Sequence, residues 1–171
     1  MTRLPERVAV FGDWHGDADY ALTALRTSGP QADIFLQVGD FGVWPELFHP
    51  GRFVPKLEAE LERQGKELWF IDGNHEHFGV LQNLPHETSG LRFLSRHIKY
   101  TPRGHLWRWG STTFAAMGGA VSIDRNHRTL GYDYFEEEQI SDEDISRAIK
   151  NADGKQVDVL ITHDFAVVPD G

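Results

Sequence analysis

The N-terminal half of the chain alternates short apolar runs with amphipathic stretches, and this alternation constrains the fold more than any other feature. Val8–Phe11, Ile34–Val38 and residues 67–71 are strand-like runs, each followed within two residues by a glycine. Between them, residues 17–26 and Phe53–Gln64 carry leucines at helical spacing among polar residues. Strand, helix, strand, helix, strand is the order of parallel βαβ units, so we predict a parallel sheet for this half.

The second half of the chain has a different pattern. Residues 105–109 and Thr112–Met117 are strand-like and flank Gly110-Ser111, which predicts an antiparallel hairpin with a tight turn. Ser141 and Asp144 form a capping-box-like start for a helix. The remaining predictions are a strand at Ile98–Tyr100, a loop over residues 118–134, a helix over residues 141–150 and a last strand over residues 157–162. With no internal repeat or linker, the chain is expected to form one mixed α/β domain over residues 1–171.

Composition narrows the class of protein and its location. A chain of 171 residues with 40% hydrophobic and 25% charged residues is typical of a globular domain with its own core. The formal net charge of −9 gives no general attraction to a nucleic-acid backbone, so a nucleic-acid partner is not expected. Cysteine is absent, which excludes disulfides and thiolate metal sites. Without a secretory signal or an apolar run of about 20 residues, a cytoplasmic protein with no membrane association is expected.

Polar residues suited to metal binding follow four of the predicted strands. In parallel sheets, ligands bind beyond the carboxyl ends of the strands, so clusters scattered in sequence converge at one edge. The four clusters are Gly12-Asp13-Trp14-His15-Gly16, Gly39-Asp40, Gly73-Asn74-His75-Glu76 and Thr162-His163-Asp164. Carboxylate and amide oxygens with imidazole nitrogens favour Mn²⁺, Fe²⁺, Zn²⁺ or a related ion.

The spacing within these clusters indicates how a metal centre could be built. Asp13 and His15 are one residue apart, so at an extended strand end both side chains could point the same way. A single carboxylate such as Asp40 could bridge two ions about 3.5 to 4 Å apart, the spacing at which two metals clamp a phosphoryl group. Taken singly, each motif is also a common surface pair or turn, and His163 alone is more typical of a structural histidine. Their joint occurrence in order is what favours a functional site.

On these four motifs the sequence resembles the calcineurin-like metallophosphoesterase family, and the matching residues extend from Asp13 to His163. The stretch Phe114-Ala-Ala-Met-Gly-Gly-Ala120 is also similar to an inner strand and glycine turn of that family. The resemblance implies a metallophosphatase-like four-layer sandwich, in which two mixed β-sheets pack face to face and are flanked by helices.

The resemblance also implies a ligand set for two divalent ions. Asp13 and His15 would bind the first ion, Asp40 would bridge both, and Asn74 and His163 would bind the second. Manganese is the expected metal, with iron, zinc or nickel as alternatives.

The implied reaction is hydrolysis of a phosphate monoester or diester by a metal-bridging hydroxide. His75 would bind no metal; it would contact the substrate phosphate and assist departure of the leaving group. Small phosphate esters and nucleotides are the expected substrates.

The chain departs from the family pattern at two places. Val43 stands where many members have a supporting Asp. A downstream Gly-x-His or Gly-His-x-His motif, which supplies one further ligand to each metal in the family, is not found in the eight residues that follow His163. We therefore expect a domain that lacks its C-terminal strands and binds metal more weakly than a complete site.

The sequence leaves two other functions and two local hypotheses open. The chain could be a scaffold of the same fold that binds a partner without catalysis, or a nuclease, which the acidic composition disfavours. Arg125 and Arg128 follow the Gly118-Gly119 turn and could contact phosphate through paired hydrogen bonds. The acidic run Glu136-Glu137-Glu138 is interpreted as a solvated start of a helix.

Overall fold

A computed structural model describes residues 4–164 of the chain. In this range the chain forms eight β-strands and four α-helices, connected by loops and short 3-10 helices. The strands are β1 (Val8–Phe11), β2 (Ile34–Val38), β3 (Leu68–Ile71), β4 (Arg92–Phe93), β5 (Ile98–Tyr100), β6 (Leu106–Trp109), β7 (Thr112–Met117) and β8 (Val159–Thr162). The helices are α1 (Ala18–Ser28), α2 (Phe53–Gln64), α3 (Phe78–Asn83) and α4 (Asp142–Ala152).

The larger sheet has the strand order β1-β2-β3-β5-β4. Strands β1, β2, β3 and β5 are parallel, and only β4 runs antiparallel to its neighbour. Helices α1 and α2 form the crossovers from β1 to β2 and from β2 to β3. The carboxyl ends of β1, β2 and β3 therefore meet at one edge, as the parallel βαβ pattern predicts.

The smaller sheet has the order β6-β7-β8. Strands β6 and β7 form the predicted antiparallel hairpin, in which Trp109 pairs with Thr112. Strand β8 is parallel to β7, with Thr162 opposite Met117. This pairing brings the polar residues after β8 toward the glycine turn that follows β7.

Two apolar clusters hold these layers together. In β2, Phe35 points into the first cluster and its neighbour Ile34 into the second, as expected for a strand buried on both faces. The first cluster packs the larger sheet against α1 and α2 and includes Trp14, Leu25, Phe41, Phe53, Leu57 and Phe70. The second lies between the two sheets and includes Ile34, Ile71, Trp107, Trp109 and Ala116.

The helix starts follow the sequence signals. The Asp17 side chain accepts hydrogen bonds of 3.0 Å from the backbone N–H groups of Asp19 and Tyr20 and thereby caps α1. Helix α4 begins with a reciprocal capping box between Ser141 and Asp144. Both caps satisfy N–H groups that have no partner inside the helix.

The predicted fold class, a mixed α/β fold with two mixed sheets and helices packed against them, is confirmed. Helix α3 and strand β4 were missing from the prediction, because they are short and follow no clear periodic pattern. The predictions that the domain lacks its C-terminal strands and that residues 1–171 form one domain stay predictions, and residues 165–171 lie outside the described residues. No helix in the described part of the chain is long and apolar enough to cross a membrane.

Candidate metal centre

The loops after β1, β2 and β3 are tied together at the carboxyl edge of the larger sheet. The backbone N–H of Asp13 donates to the Gly39 carbonyl at 3.1 Å, and that of His15 donates to the Asp40 carbonyl at 2.8 Å. The third loop joins them, since the backbone N–H of His75 donates to Oδ1 of Asp40 at 2.9 Å. Asp40 therefore lies at the centre of three loops that the sequence places far apart.

Three residues of these loops have left-handed backbone conformations. Asp13 has a φ of 54°, His15 of 46° and Asp40 of 54°. In residues 4–164 they are the only residues other than glycine with a positive φ. Such a conformation costs an L-residue on the order of 1 to 3 kcal/mol and is concentrated at functional sites, where the surrounding structure imposes it.

Trp14 lies between Asp13 and His15 and holds their loop onto the core. Its side chain is only 1% exposed, and its ring packs on Phe41 at 5.8 Å and on Phe53 at 6.4 Å between centroids. The buried indole leaves the two flanking side chains exposed above it. Trp14 therefore packs under the loop.

The side chains of Asp13, His15 and Asp40 form a compact group. One possible ligand atom from each lies within 4.8 Å of the other two. Atoms bound to one ion at about 2.1 Å can be up to about 4.2 Å apart, so a small side-chain adjustment brings this group to metal-binding distances. Oδ2 of Asp40 faces this group, at 3.6 Å from Nε2 of His15.

The other oxygen of Asp40 faces His163. Nε2 of His163 is 3.5 Å from Oδ1 of Asp40, and Nδ1 donates a 2.8 Å hydrogen bond to the Val38 carbonyl. That second bond fixes the ring orientation and presents Nε2 to the carboxylate, which is how metal-binding histidines are held in proteins.

Electrostatics couple Asp40 to His163. Burial alone would lower the pKa of His163, but the hydrogen bond and charge of Asp40, with smaller contributions from Val38 and Asp13, raise it to about 9. Burial likewise opposes ionisation of Asp40, yet His163 and the backbone N–H of His75 lower its pKa below the usual value. A cation that bound Nε2 of His163 would have to displace this proton.

Two glycines are required by the close packing around Asp40 and His163. Gly39 has a φ of +103°, and a Cβ atom there would collide with the His163 ring. A Cβ atom at Gly73 would collide with the backbone nitrogen and carboxylate of Asp40. The glycines that end β2 and β3 in the sequence are therefore needed for contact between loops as well as for the turns.

Asn74 and His75 lie on the third loop. Nδ2 of Asn74 donates a 2.9 Å hydrogen bond to Oγ of Ser122, a residue of the loop after β7. The ring of His75 is 5.4 Å from the ring of His15, centroid to centroid, and is partly exposed. Neither side chain is part of the compact three-residue group, but the His75–Asp40 hydrogen bond keeps both beside it.

Comparison with known proteins gives a family for this arrangement. A sequence model described as calcineurin-like phosphoesterase matches residues 6–167 of the chain. The chain belongs to the calcineurin-like phosphoesterase family. A search of curated proteins finds no match. Family membership supports a metal-dependent phosphoesterase in general, and the resemblance drawn from the sequence is confirmed.

The centre of this phosphoesterase-family chain fits a divalent cation. Two carboxylates and one imidazole at Asp13, His15 and Asp40 are the donor types that such ions prefer, and the buried Asp40 is held in place by the neighbouring loops. The three strained backbone conformations all fall on members of this group. The group is therefore a possible metal site of a family that depends on divalent metals.

Glu76, the last residue of the third motif, has a structural position. Its fully buried side chain accepts hydrogen bonds from the backbone N–H groups of Phe41 at 2.6 Å, Val43 at 2.7 Å and Gly42 at 3.2 Å. Burial raises the pKa of Glu76 to about 8, against the opposite effect of these donors. Glu76 thus supports the loop that carries Asp40. Its position in the third motif did not distinguish this structural role from metal binding.

The arginine and glutamate residues after β7 differ from the sequence hypotheses. Arg128 is not free to bind phosphate, because its guanidinium forms a bidentate pair with Glu138, at 2.9 Å from Oε1 and 3.2 Å from Oε2. Glu138 is fully buried, so the interpretation of the whole acidic run as solvated is wrong at this residue. Arg125 is exposed and lies in a short 3-10 helix.

Proposed function

We propose that the chain is a phosphoesterase whose centre takes two divalent cations, with Mn²⁺ as the expected ion and iron, zinc or nickel as alternatives. Asp13 and His15 would hold one ion and Asp40 would be shared. Asn74 and His163 would hold the second. The observation that carries this proposal is the position of Asp40 between two histidines, with Oδ2 at 3.6 Å from His15 and Oδ1 at 3.5 Å from His163.

The chain's own residues would position the reacting groups. When bound, two cations supply charge that lowers the pKa of water and neutralises the phosphate oxygens. Asp40 would keep them at a fixed separation, because its backbone conformation and its hydrogen bond from His75 leave its carboxylate little freedom. The exposed Asp13 and His15 side chains would leave the first ion open to a substrate.

His75 is the proposed general acid. Its ring lies beside that of His15, and within residues 4–164 its side chain is engaged in no hydrogen bond, so it is free to contact a phosphate ester. It would hold a proton for the leaving-group oxygen, a role suited to an imidazole near neutral pH. Small phosphate esters and nucleotides are the proposed substrates, since the net charge of −9 gives no attraction to a long polyanion.

The test combines metal binding with catalysis. The purified protein is titrated with Mn²⁺ in a calorimeter and then assayed on p-nitrophenyl phosphate and on bis(p-nitrophenyl) phosphate. We expect two Mn²⁺ per chain and hydrolysis of at least one ester. Replacing His75 by Asn should leave Mn²⁺ uptake unchanged and lower kcat by roughly 10²- to 10⁴-fold.

The matched control is His49→Asn, since His49 is exposed and follows the 3-10 helix at Pro45–Phe48, outside the four ligand motifs. It should change neither Mn²⁺ uptake nor kcat. Two bound Mn²⁺ with no hydrolysis of either ester, in wild type and both variants, would favour a non-catalytic scaffold over the enzyme.

A further inference from the structure

The side chain of Asn74 is held by a buried polar group that none of the sequence motifs includes. Ser122, which is 2% exposed, lies between Asn74 on one side and the Arg128–Glu138 pair on the other. Its hydroxyl donates to Oε2 of Glu138. It accepts a 2.9 Å bond from Nδ2 of Asn74 and a 3.0 Å bond from Nη1 of Arg128.

These contacts use the full hydrogen-bonding capacity of the Ser122 hydroxyl. A hydroxyl has one proton to donate and two lone pairs to accept with. The Glu138 carboxylate, paired with the guanidinium of Arg128, can only accept, so it takes the proton, and the guanidinium can only donate, so it takes one lone pair. Only an accepting lone pair remains for Asn74, and that lone pair can pair with the amide nitrogen but not with the amide oxygen.

We propose that Ser122 is a positioning residue for the metal centre: it selects one of the two flip states of the Asn74 amide and so turns Oδ1 of Asn74 toward the second cation. This inference rests on the proposed function, because it takes Asn74 as a ligand of that ion. A cation binds the amide oxygen and is repelled by the NH₂ group, so the wrong flip state removes a ligand. Without Ser122 the two flip states of the Asn74 amide are closer in energy, so the amide must be ordered when the cation binds, and this makes the free energy of binding less favourable.

Backbone hydrogen bonds hold Ser122 and Glu138 in place in the fold. The backbone N–H of Ala120 donates to the Glu138 carbonyl at 3.0 Å, and Oε1 of Glu138 accepts from the backbone N–H of Phe135 at 3.1 Å. The backbone N–H of Gly119 donates to the Asp72 carbonyl at 2.9 Å, two residues before Asn74. The loop after β7 is thereby attached to the loop after β3, and Ser122 is held at a set distance from the amide.

The first experiment is a calorimetric titration of full-length wild type, Ser122→Ala and Ser122→Thr with Mn²⁺ alone. Loss of an outer partner of a ligand lowers metal affinity by roughly 10- to 100-fold, and we expect Ser122→Ala to weaken one of two Mn²⁺ sites by this factor. Ser122→Thr keeps the hydroxyl and should bind Mn²⁺ as wild type does. Ser111→Ala, in the hairpin turn, is the matched control and should bind as wild type does.

A second measurement follows the amide without metal or activity. In the ¹⁵N–¹H spectrum of the metal-free protein, the Asn74 side-chain signal is identified by its loss in Asn74→Asp. In wild type its protons should exchange slowly with solvent, and in Ser122→Ala they should exchange fast. Thermal unfolding of each variant shows whether the fold is retained.

Combining the variants distinguishes a loss of Asn74 amide orientation from a general disruption of the loop. Asn74→Asp offers an oxygen on either side, so no flip state is wrong. In the Asn74→Asp background, Ser122→Ala should therefore lose most of its effect on Mn²⁺ affinity. An equal loss of Mn²⁺ affinity in the wild-type and Asn74→Asp backgrounds would overturn the inference and assign Ser122 a purely structural role.

The outcomes also distinguish the inference from the proposed function. Wild type with two Mn²⁺ sites, together with Ser122→Ala that binds both equally tightly, overturns the inference and leaves the proposed function standing. Wild type that binds no second Mn²⁺ overturns the proposed dinuclear centre and the inference with it. If Ser122→Ala does not fold, unchanged exchange of the Asn74 amide in Ser122→Thr supports the inference and fast exchange overturns it.

Discussion

Oδ1 of Asp40 lies 3.5 Å from Nε2 of His163, and this contact joins the end of β2 in the larger sheet to the end of β8 in the smaller one. The candidate centre therefore lies where the two sheets meet, and neither sheet contains it alone. Packing of Ile34 and Ile71 against Trp107 and Trp109 fixes the relative position of the sheets. Core packing and site geometry are consequently linked in this fold.

The Asp40→Asn variant should bind no second Mn²⁺ and should bind the first at least tenfold more weakly. An amide offers one oxygen where the carboxylate offers two, and it loses the negative charge that opposes the two cations. Calorimetric titration with Mn²⁺ measures both effects. Asp19→Asn, on the exposed surface of α1, is the control and should bind as wild type does. Two unweakened sites in Asp40→Asn would contradict the bridging role.

At a pH above about 8, where Glu76 is ionised, the Glu76→Gln variant should unfold with a free energy about 1 to 3 kcal/mol lower than wild type. Three backbone N–H groups converge on the two oxygens of Glu76. Glutamine has one acceptor oxygen, and its NH₂ group would face at least one buried N–H. Urea denaturation gives the value, and Glu46→Gln, at an exposed position of a 3-10 helix, should change it little. Equal stability of Glu76→Gln and wild type would show that these bonds contribute nothing net.

Much of the fold was predictable from local sequence signals. Strands Val8–Phe11, Ile34–Val38 and Thr112–Met117 occupy the predicted residues, because glycine ends the first two and a hairpin turn begins the third. The prediction for the last strand began at residue 157, two residues before β8 begins. The exact first and last residues of a strand or helix depend on tertiary hydrogen bonds, which a sequence pattern does not reveal.

The candidate site was only partly predictable. Asp13, His15 and Asp40 follow strand ends, and the topology of parallel sheets was enough to predict that they meet. The roles of Glu76, Ser122 and Glu138 could not be predicted in this way. Each acts through a partner distant in the chain, and its residue type is equally typical of a solvated loop.

The Arg103→Met variant should lose about 3 to 5 kcal/mol of stability, because it leaves the carboxylate of Asp72 buried without a counter-charge. Arg103 is 2.6 Å from Oδ2 of Asp72, which is fully buried, and 3.0 Å from Oδ2 of Asp144. Urea denaturation measures the loss. Arg108→Met, at an exposed position of β6, is the matched control and should stay within about 0.5 kcal/mol of wild type. A loss at Arg103 no larger than at Arg108 would mean that Asp72 finds another partner or takes up a proton.

The ion pairs of Glu60 should make stability depend on pH in the acid range. Hydrogen bonding from Arg63, opposed by burial and assisted by Gln64 and Arg26, lowers the pKa of Glu60 from 4.5 to about 2. A carboxyl whose pKa is lower in the folded state stabilises the fold fully above its unfolded pKa, and this contribution is lost as the pH falls from about 4.5 toward 2.

The size of the Glu60 effect is limited by the exposure of its partners. The shift corresponds to about 3 kcal/mol at most, but the Arg26 and Arg63 side chains are 59% and 65% exposed, so solvent screening reduces it. We therefore expect a contribution of about 1 to 2 kcal/mol.

Urea denaturation at about pH 6 and about pH 3 should show that Glu60→Gln is less stable than wild type at the higher pH and loses less stability than wild type on acidification. Glu62→Gln, on the exposed face of α2, should lose as much as wild type, because the other carboxylates titrate alike in both. If Glu60→Gln were to lose as much stability as wild type between the two pH values, the acid sensitivity would arise elsewhere, and the contacts of Glu60 would not hold its pKa down.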